Sequence, residues 1–339
     1  MAGHGKGAVF QAMIGNGFLT IIKFVAFGLS RSGAMFSEAV HSAADTANQA
    51  LLFIGIRKSQ KEADDKYHYG YGGERYLYAL LSAVGIFILG AGVTIYHGID
   101  SLIRPHDVNI SWIDYSVLGI SIVIDGWVFA AAIREANHEK GDQSLFKFIK
   151  SSTDPTLVAV LFEDFVAVLG ASIAIIGLLI ADLTGIAVFD SITSIVVGLL
   201  LGGIAVWLGM RNRELILGPS IPSELQDEVV EFLRAQPSVE KVRYVRTRIA
   251  AADRFTLAAE IDYNGHYLGE LHAEWVEEQL SSGAAAKDHT RFSAEFGERM
   301  MDALAKEVDR IEAALRKEFP KLNDIALESD YTPNSPAPA

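Results

Sequence analysis

Apolar residues fill long, almost uninterrupted blocks through the first two thirds of the chain, then switch to helical and alternating spacing in the last third. A bilayer core about 30 Å thick requires about 20 mainly apolar residues per helix. Six segments meet that length: Ala8 to Ser30, Gly33 to Arg57, Tyr76 to Leu102, Ile113 to Ile133, Leu157 to Ile180 and Ile186 to Met210. The first lacks the basic start and small-residue cleavage site of a removable signal, so it reads as a retained helix. Gly218-Pro219, followed by Pro222, punctuates the exit from the apolar region. Beyond it, Leu225, Val229, Val230 and Leu233 recur with helical spacing over Ser223 to Ala235, while Val239 to Arg248 and Arg254 to Tyr263 read as strands around Ala250-Ala251-Ala252-Asp253. A long helix over Phe296 to Phe319, closed by Pro320, precedes a last strand at Asn323 to Glu328.

The pattern predicts a membrane all-α six-helix transmembrane domain (1–213) plus an α+β ferredoxin-like cytoplasmic domain (214–331). The order helix-strand-strand-helix-strand suits such a sandwich, which leaves 264–293 as an insertion and the proline-rich 332–339 as a disordered tail.

Composition sharpens this reading. With 339 residues, 50% of them hydrophobic, one compact soluble domain is excluded as the simplest reading. The net charge of -13 divides unevenly: 15 basic and 18 acidic residues up to Arg213, then 14 basic and 24 acidic. Surplus acid argues against nucleic acid as a partner and favours cations. Zero cysteines removes disulfides and thiolate sites, so a metal must be held by His, Asp and Glu. Lys58, Lys61, Lys66 and Arg75, then Arg134, Lys140, Lys147 and Lys150, then Arg211 and Arg213 occupy alternate loops, which places both termini in the cytoplasm.

Charged groups inside the apolar segments carry the chemistry, because an ionised side chain at the bilayer centre costs about 2.5–3.5 kcal/mol on insertion scales. The second segment holds Glu38, His41 and Asp45; the fifth holds Glu163 and Asp164. His41 and Asp45, four apart, stack on one helical face with β-carbons about 6 Å apart, close enough to share one divalent ion. Glu163 and Asp164 point about 100° apart, so they are unequal as ligands of one rigid face. A carboxylate cluster with no Lys or Arg in either segment short of the terminal Arg57 stays neutral or binds a cation. Oxygen plus imidazole suits Zn²⁺, with Mn²⁺, Fe²⁺, Co²⁺ and Cd²⁺ as competitors. For Lys23 the expectation is snorkelling, for Asp125 an interhelical contact, and Asn16 and Asn48 are either interhelical hydrogen-bonders or oxygen donors. The Gly198 to Gly202 spacing permits close helix approach.

The run Ser37-Glu38-Ala39-Val40-His41-Ser42-Ala43-Ala44-Asp45 and then His68-Tyr69-Gly70-Tyr71-Gly72-Gly73-Glu74-Arg75 resemble the cation diffusion facilitator family of divalent metal cation/proton antiporters over nearly the whole chain. Leu161-Phe162-Glu163-Asp164 and the 264–293 insertion are most similar to its mitochondrial zinc-transporter-like branch. The resemblance implies six membrane helices, a ferredoxin-like dimerisation domain and a transport site built from pairs four apart on the second and fifth helices. His41 and Asp45 match the first pair. Of the second, Asp164 matches, its partner position is Val160, and Glu163 is the available substitute. The family's loop site would involve Asp64, Asp65 and His68, but Tyr67 and Tyr71 stand at its histidine positions, and a solvated acidic loop is the better reading. Arg243 and Ala259 replace strand histidines, and His266, His272 and His289 fall in the insertion.

The sequence therefore predicts a proton-coupled efflux transporter for divalent metal, Zn²⁺ first, working by alternating access as a homodimer through its C-terminal domain. No catalytic residues and no resident cofactor are expected. The bilayer, divalent cations and protons are its partners, and a bacterial inner membrane is the expected location. Two rivals are a membrane metal sensor or scaffold that binds without translocating, and an intramembrane metallohydrolase, which no HExxH motif supports.

Overall fold

The computed structural model describes residues 6–30, 33–104, 112–141, 143–186 and 188–330. The chain divides into two compact units, Met1–Leu217 and Gly218–Ala339. The 332–339 tail expected to be disordered lies outside the described residues.

The first unit is helical: α1 (Lys6–Ser30), α2 (Gly33–Ser59), α3 (Glu74–Gly85) running through a π-helical stretch (Ile86–Gly92) into α4 (Val93–Ile103), α5 (Trp112–Glu139), the short α6 (Leu145–Ser151), α7 (Pro155–Thr184) and α8 (Val188–Leu217). Each predicted segment corresponds to a helical rod whose ends differ by a few residues: most rods run longer, while α8 begins two residues later than predicted and continues seven residues further, to Leu217. The π-helical stretch and α6 were not anticipated from periodicity. Four rods are long and apolar enough to cross a membrane by length and composition: Glu74–Ile103, Tyr115–Glu139, Pro155–Thr184 and Ser191–Leu217. Among the described residues α1 contributes a shorter apolar stretch, Met13–Ala26. Helix α2 is diluted by the polar residues that make it chemically interesting.

Local sequence explains the bounds of α7. The Asp154 carboxylate caps its start, accepting from the N–H groups of Thr156 and Leu157, with Pro155 in the first turn. Gly185, at φ 72°, ends it in the left-handed conformation that lets a glycine close a helix. Helix α8 packs on α4 at two glycines. A Cβ at Gly98 would lie 2.9 Å from the Ser191 carbonyl oxygen, and one at Gly198 would lie 3.1 Å from the Ile95 backbone nitrogen. Small residues at these crossings let the backbones approach, as membrane helix pairs require. Phe87, Ile88, Val123, Leu183, Leu199 and Val206 point outward and are exposed, an apolar exterior suited to lipid.

In the second unit α9 (Ser223–Arg234), β1 (Val239–Ala251) and β2 (Arg254–Tyr263) are followed by α10 (Gly265–Glu270), α11 (Ala273–Ser281), α12 (Ala284–Lys287), α13 (His289–Glu318) and β3 (Leu322–Ser329). Strand β2 is central, antiparallel to β1 and parallel to β3. Alternation along β2 sends Phe255, Leu257, Ala259 and Ile261 into the core against Val229 and Leu233 of α9 and Ile311 and Leu315 of α13. The result is a mixed three-stranded sheet with helices. The stretch 264–293, expected as an insertion, is largely helical. Helix α13 begins seven residues earlier than predicted, because Asp288 caps the Arg291 N–H ahead of the apolar stripe.

Candidate metal site

Helix α2 places residues 38, 41, 45 and 48 along one stripe by its 3.6-residue repeat. Asp45 is half-buried, and Asn48 and Gln49 are buried. The side chains of Glu38 and His41 lie outside those described. On α7, Glu163 and Asp164 are both buried, at 7% and 2% exposure, deep in a helix whose first turns line the core. Their divergence, expected from a 100° step, gives them different neighbours. Glu163 faces Asp45 and Asn48 of α2, whereas Asp164 faces Asp125 of α5 as well as Asp45.

Among the described residues neither Glu163 oxygen nor Asp164 Oδ2 makes a well-formed hydrogen bond, although the Asn48 side chain approaches Glu163. Such groups are rare in folded proteins, where buried polar atoms are nearly always satisfied. Leaving a buried acid unpartnered costs about 1–3 kcal/mol, so a group arranged this way calls for a proton or a cation. Among the described residues no three His, Cys, Asp or Glu side chains are grouped tightly enough to hold an ion. Val160, at the position where the resembled family carries a ligand, is fully buried in the apolar core.

Of three isolated polar residues, one departs from expectation and two acquire named partners. Lys23 does not snorkel: it is buried at 3% exposure, and its Nζ donates to Ser42 Oγ at 2.8 Å on α2, beside His41 in sequence. Asp125 makes the interhelical approach expected of it, and the group it interacts with is the Asp164 carboxyl on α7. Asn48 packs toward Glu163 and toward Gly85, where a Cβ would lie 2.6 Å from Asn48 Oδ1. Intramembrane polarity signalled all three positions, but not their partners.

The loop after α2 is arranged otherwise. Asp64 accepts from Lys61 Nζ at 2.7 Å, Tyr71 Oη at 2.8 Å and the backbone N–H groups of Tyr67 and Lys66. His68 Nε2 meets the Asp65 carbonyl oxygen at 3.1 Å. Asp64 is thereby committed to protein donors. In the second unit Arg243 pairs with Asp262 at 2.7 Å, and Ala259 is buried.

Residues 9–217 match the model of the cation efflux transmembrane domain. The chain belongs to the cation efflux family. The human mitochondrial protein named proton-coupled zinc antiporter SLC30A9 is 34% identical over 333 residues, covering 96% of this chain and 58% of that protein. Metal tolerance protein C4 of Arabidopsis thaliana is 32% identical over 348 residues, 98% of this chain and 76% of that one. Magnetosome protein MamB of Paramagnetospirillum magneticum is 22% identical over 248 residues, 73% and 78% respectively. The chain spans about 58% of the length of the human relative. With cation efflux membership and four apolar spanning helices, the chain is an integral, multi-pass membrane protein.

Proposed function

We propose that this protein is a secondary transporter, not an enzyme, that exports divalent metal, Zn²⁺ foremost, in exchange for protons. The observation that carries the reading is the buried acid pair Glu163 and Asp164 on α7: among the described residues neither Glu163 oxygen nor Asp164 Oδ2 makes a well-formed hydrogen bond, and both side chains interact with Asp45 on α2. His41, one turn before Asp45, completes a set of one imidazole and three carboxyl groups that fits Zn²⁺. The names of the human and plant relatives, a zinc antiporter and a metal tolerance protein, point the same way.

Coupling follows from the ligands. A divalent ion requires neutral His41 and ionised Asp45, Glu163 and Asp164, so loading expels protons and protonation releases the ion. Glu163 takes the role that buried Val160 cannot, since it projects toward α2. Six crossings, with α1 and α2 joining the four apolar rods and both termini cytoplasmic, carry the site between two states that open to opposite faces. The second unit clamps two protomers as a homodimer.

The test is uptake into proteoliposomes under an imposed pH gradient, comparing Zn²⁺, Mn²⁺, Fe²⁺ and Cd²⁺ for the parent and Glu163→Ala. Gradient-driven flux that is lost in the variant is expected. Metal binding with no flux of any ion makes the protein a sensor instead.

A further inference from the structure

Arg75 stands in the first turn of α3, at the bundle end where α2 finishes and α7 begins. Its Nη2 donates to Asp154 Oδ2 at 2.6 Å and its Nε to Thr156 Oγ1 at 3.0 Å. The two side chains of the ion pair are only 13% and 9% exposed. Asp154 uses its other oxygen, Oδ1, to cap α7 through Thr156 N at 2.9 Å and Leu157 N at 3.3 Å. One carboxylate thus starts α7 and bolts it to α3. On its other side the same turn of α3 is pressed against α2. A Cβ at Gly55 would lie 2.6 Å from Tyr78 Cβ and 3.6 Å from Arg75 Cα, so the backbone of α2 rests directly on α3.

The connection reaches the carboxyl cluster through rigid rods. Thr156 and Glu163 are seven residues apart, two helical turns on one face and about 10 Å along the axis. Asp45 precedes Gly55 by ten residues of continuous helix, about 15 Å. A planar guanidinium with two aligned donors fixes direction as well as distance, which a lysine does not.

We infer that Arg75 is a positioning residue: its bond to Asp154 ties α7 to α2 through the first turn of α3 and sets the spacing between Asp45 and the Glu163–Asp164 pair. In calling that pair and Asp45 one site, the inference rests on the function proposed above. Breaking the tie lets the two ligand-bearing rods drift, so metal is held more weakly while every ligand remains present.

The chain contains no cysteine, so spin labels can be placed at Ile54→Cys on α2 and Phe165→Cys on α7, both on exposed apolar positions. Pulsed electron paramagnetic resonance then measures the distance between them in the full-length reconstituted protein. The comparison is parent against Arg75→Gln/Asp154→Asn, a pair that removes both buried charges together and keeps the capping oxygen. The double variant is expected to shift or broaden the label distance and to raise the KM for Zn²⁺ about tenfold. Arg75→Lys, which retains the charge but not the two-pronged bond, is expected to raise it about threefold and serves if the double variant does not assemble. Unchanged label distances overturn the inference, as does an altered distance with an unchanged KM. A parent that neither binds nor moves metal overturns the proposed function instead, and the label distances still decide whether Arg75 ties the two rods.

Discussion

Two acids nine residues apart, Asp154 capping α7 and Glu163 within it, live in opposite circumstances. Asp154 is buried and fully engaged, with Arg75 on one oxygen and two backbone N–H groups on the other. Glu163 is equally buried, and among the described residues neither of its oxygens makes a well-formed hydrogen bond, with only the Asn48 side chain approaching it. The contrast separates structure from chemistry along one helix. A satisfied carboxylate specifies where the helix begins and which neighbour it grips. A poorly satisfied one is held in place by the packing around it and favours a proton or a cation. Asp64, in the loop after α2, is a third case: engaged like Asp154 but in water.

The largest expected effect breaks the engaged member. Asp154→Ala removes a helix cap and leaves the Arg75 guanidinium buried without its carboxylate, which costs about 3–5 kcal/mol. Thermal unfolding in detergent should report a lower midpoint, and metal uptake should fall with it. A variant as stable as the parent would mean that the pair contributes nothing.

Glu163→Leu has the reverse sign. Replacing a poorly hydrogen-bonded buried carboxyl by an apolar side chain of similar size is expected to raise the stability of the metal-free protein by about 1–2 kcal/mol. The parent, in contrast, should gain about 2.7 kcal/mol when Zn²⁺ is present at a hundredfold excess over its dissociation constant, a gain the variant should lose. Equal metal-induced stabilisation of both proteins would remove Glu163 from the site.

The smallest effect concerns Asp64. The Lys61 ammonium, then the Tyr71 hydroxyl and the Tyr67 N–H, hold its carboxyl well below the usual carboxylate range, and the Lys61 ammonium is correspondingly pushed up to about 12. A depressed value in the folded loop means that its stabilising effect is present above the ordinary carboxylate value near 4 and is lost only as pH falls through the folded value. Amide exchange at Lys66 and Tyr67 should therefore stay slow from pH 6 down to about 4. Asp64→Asn is expected to leave zinc uptake unchanged, and a loss of flux would make this loop a second metal site.

Much of the architecture is legible from residue order, because burial in lipid demands long apolar runs and burial in a sheet demands alternation. The rods, the break at Gly218-Pro219 and the strands around Asp253 follow from those two periods. The acids on α2 and α7 also declare themselves, since charge inside an apolar run is expensive wherever the helix sits. Val160 beside Glu163 is equally visible as a departure from the pattern of four.

What no local pattern carries is the azimuth of one helix against another. That angle is set by the close approach of backbones at Gly98, Gly198 and Gly55. It decided that Lys23 is buried against Ser42 instead of reaching for the membrane surface, that Asp125 turns toward Asp164, and that Arg75 in one helix meets Asp154 at the start of another, 79 residues later. The residue types and their spacing within each helix are properties of the chain. Which of them share one buried space is a property of the packing.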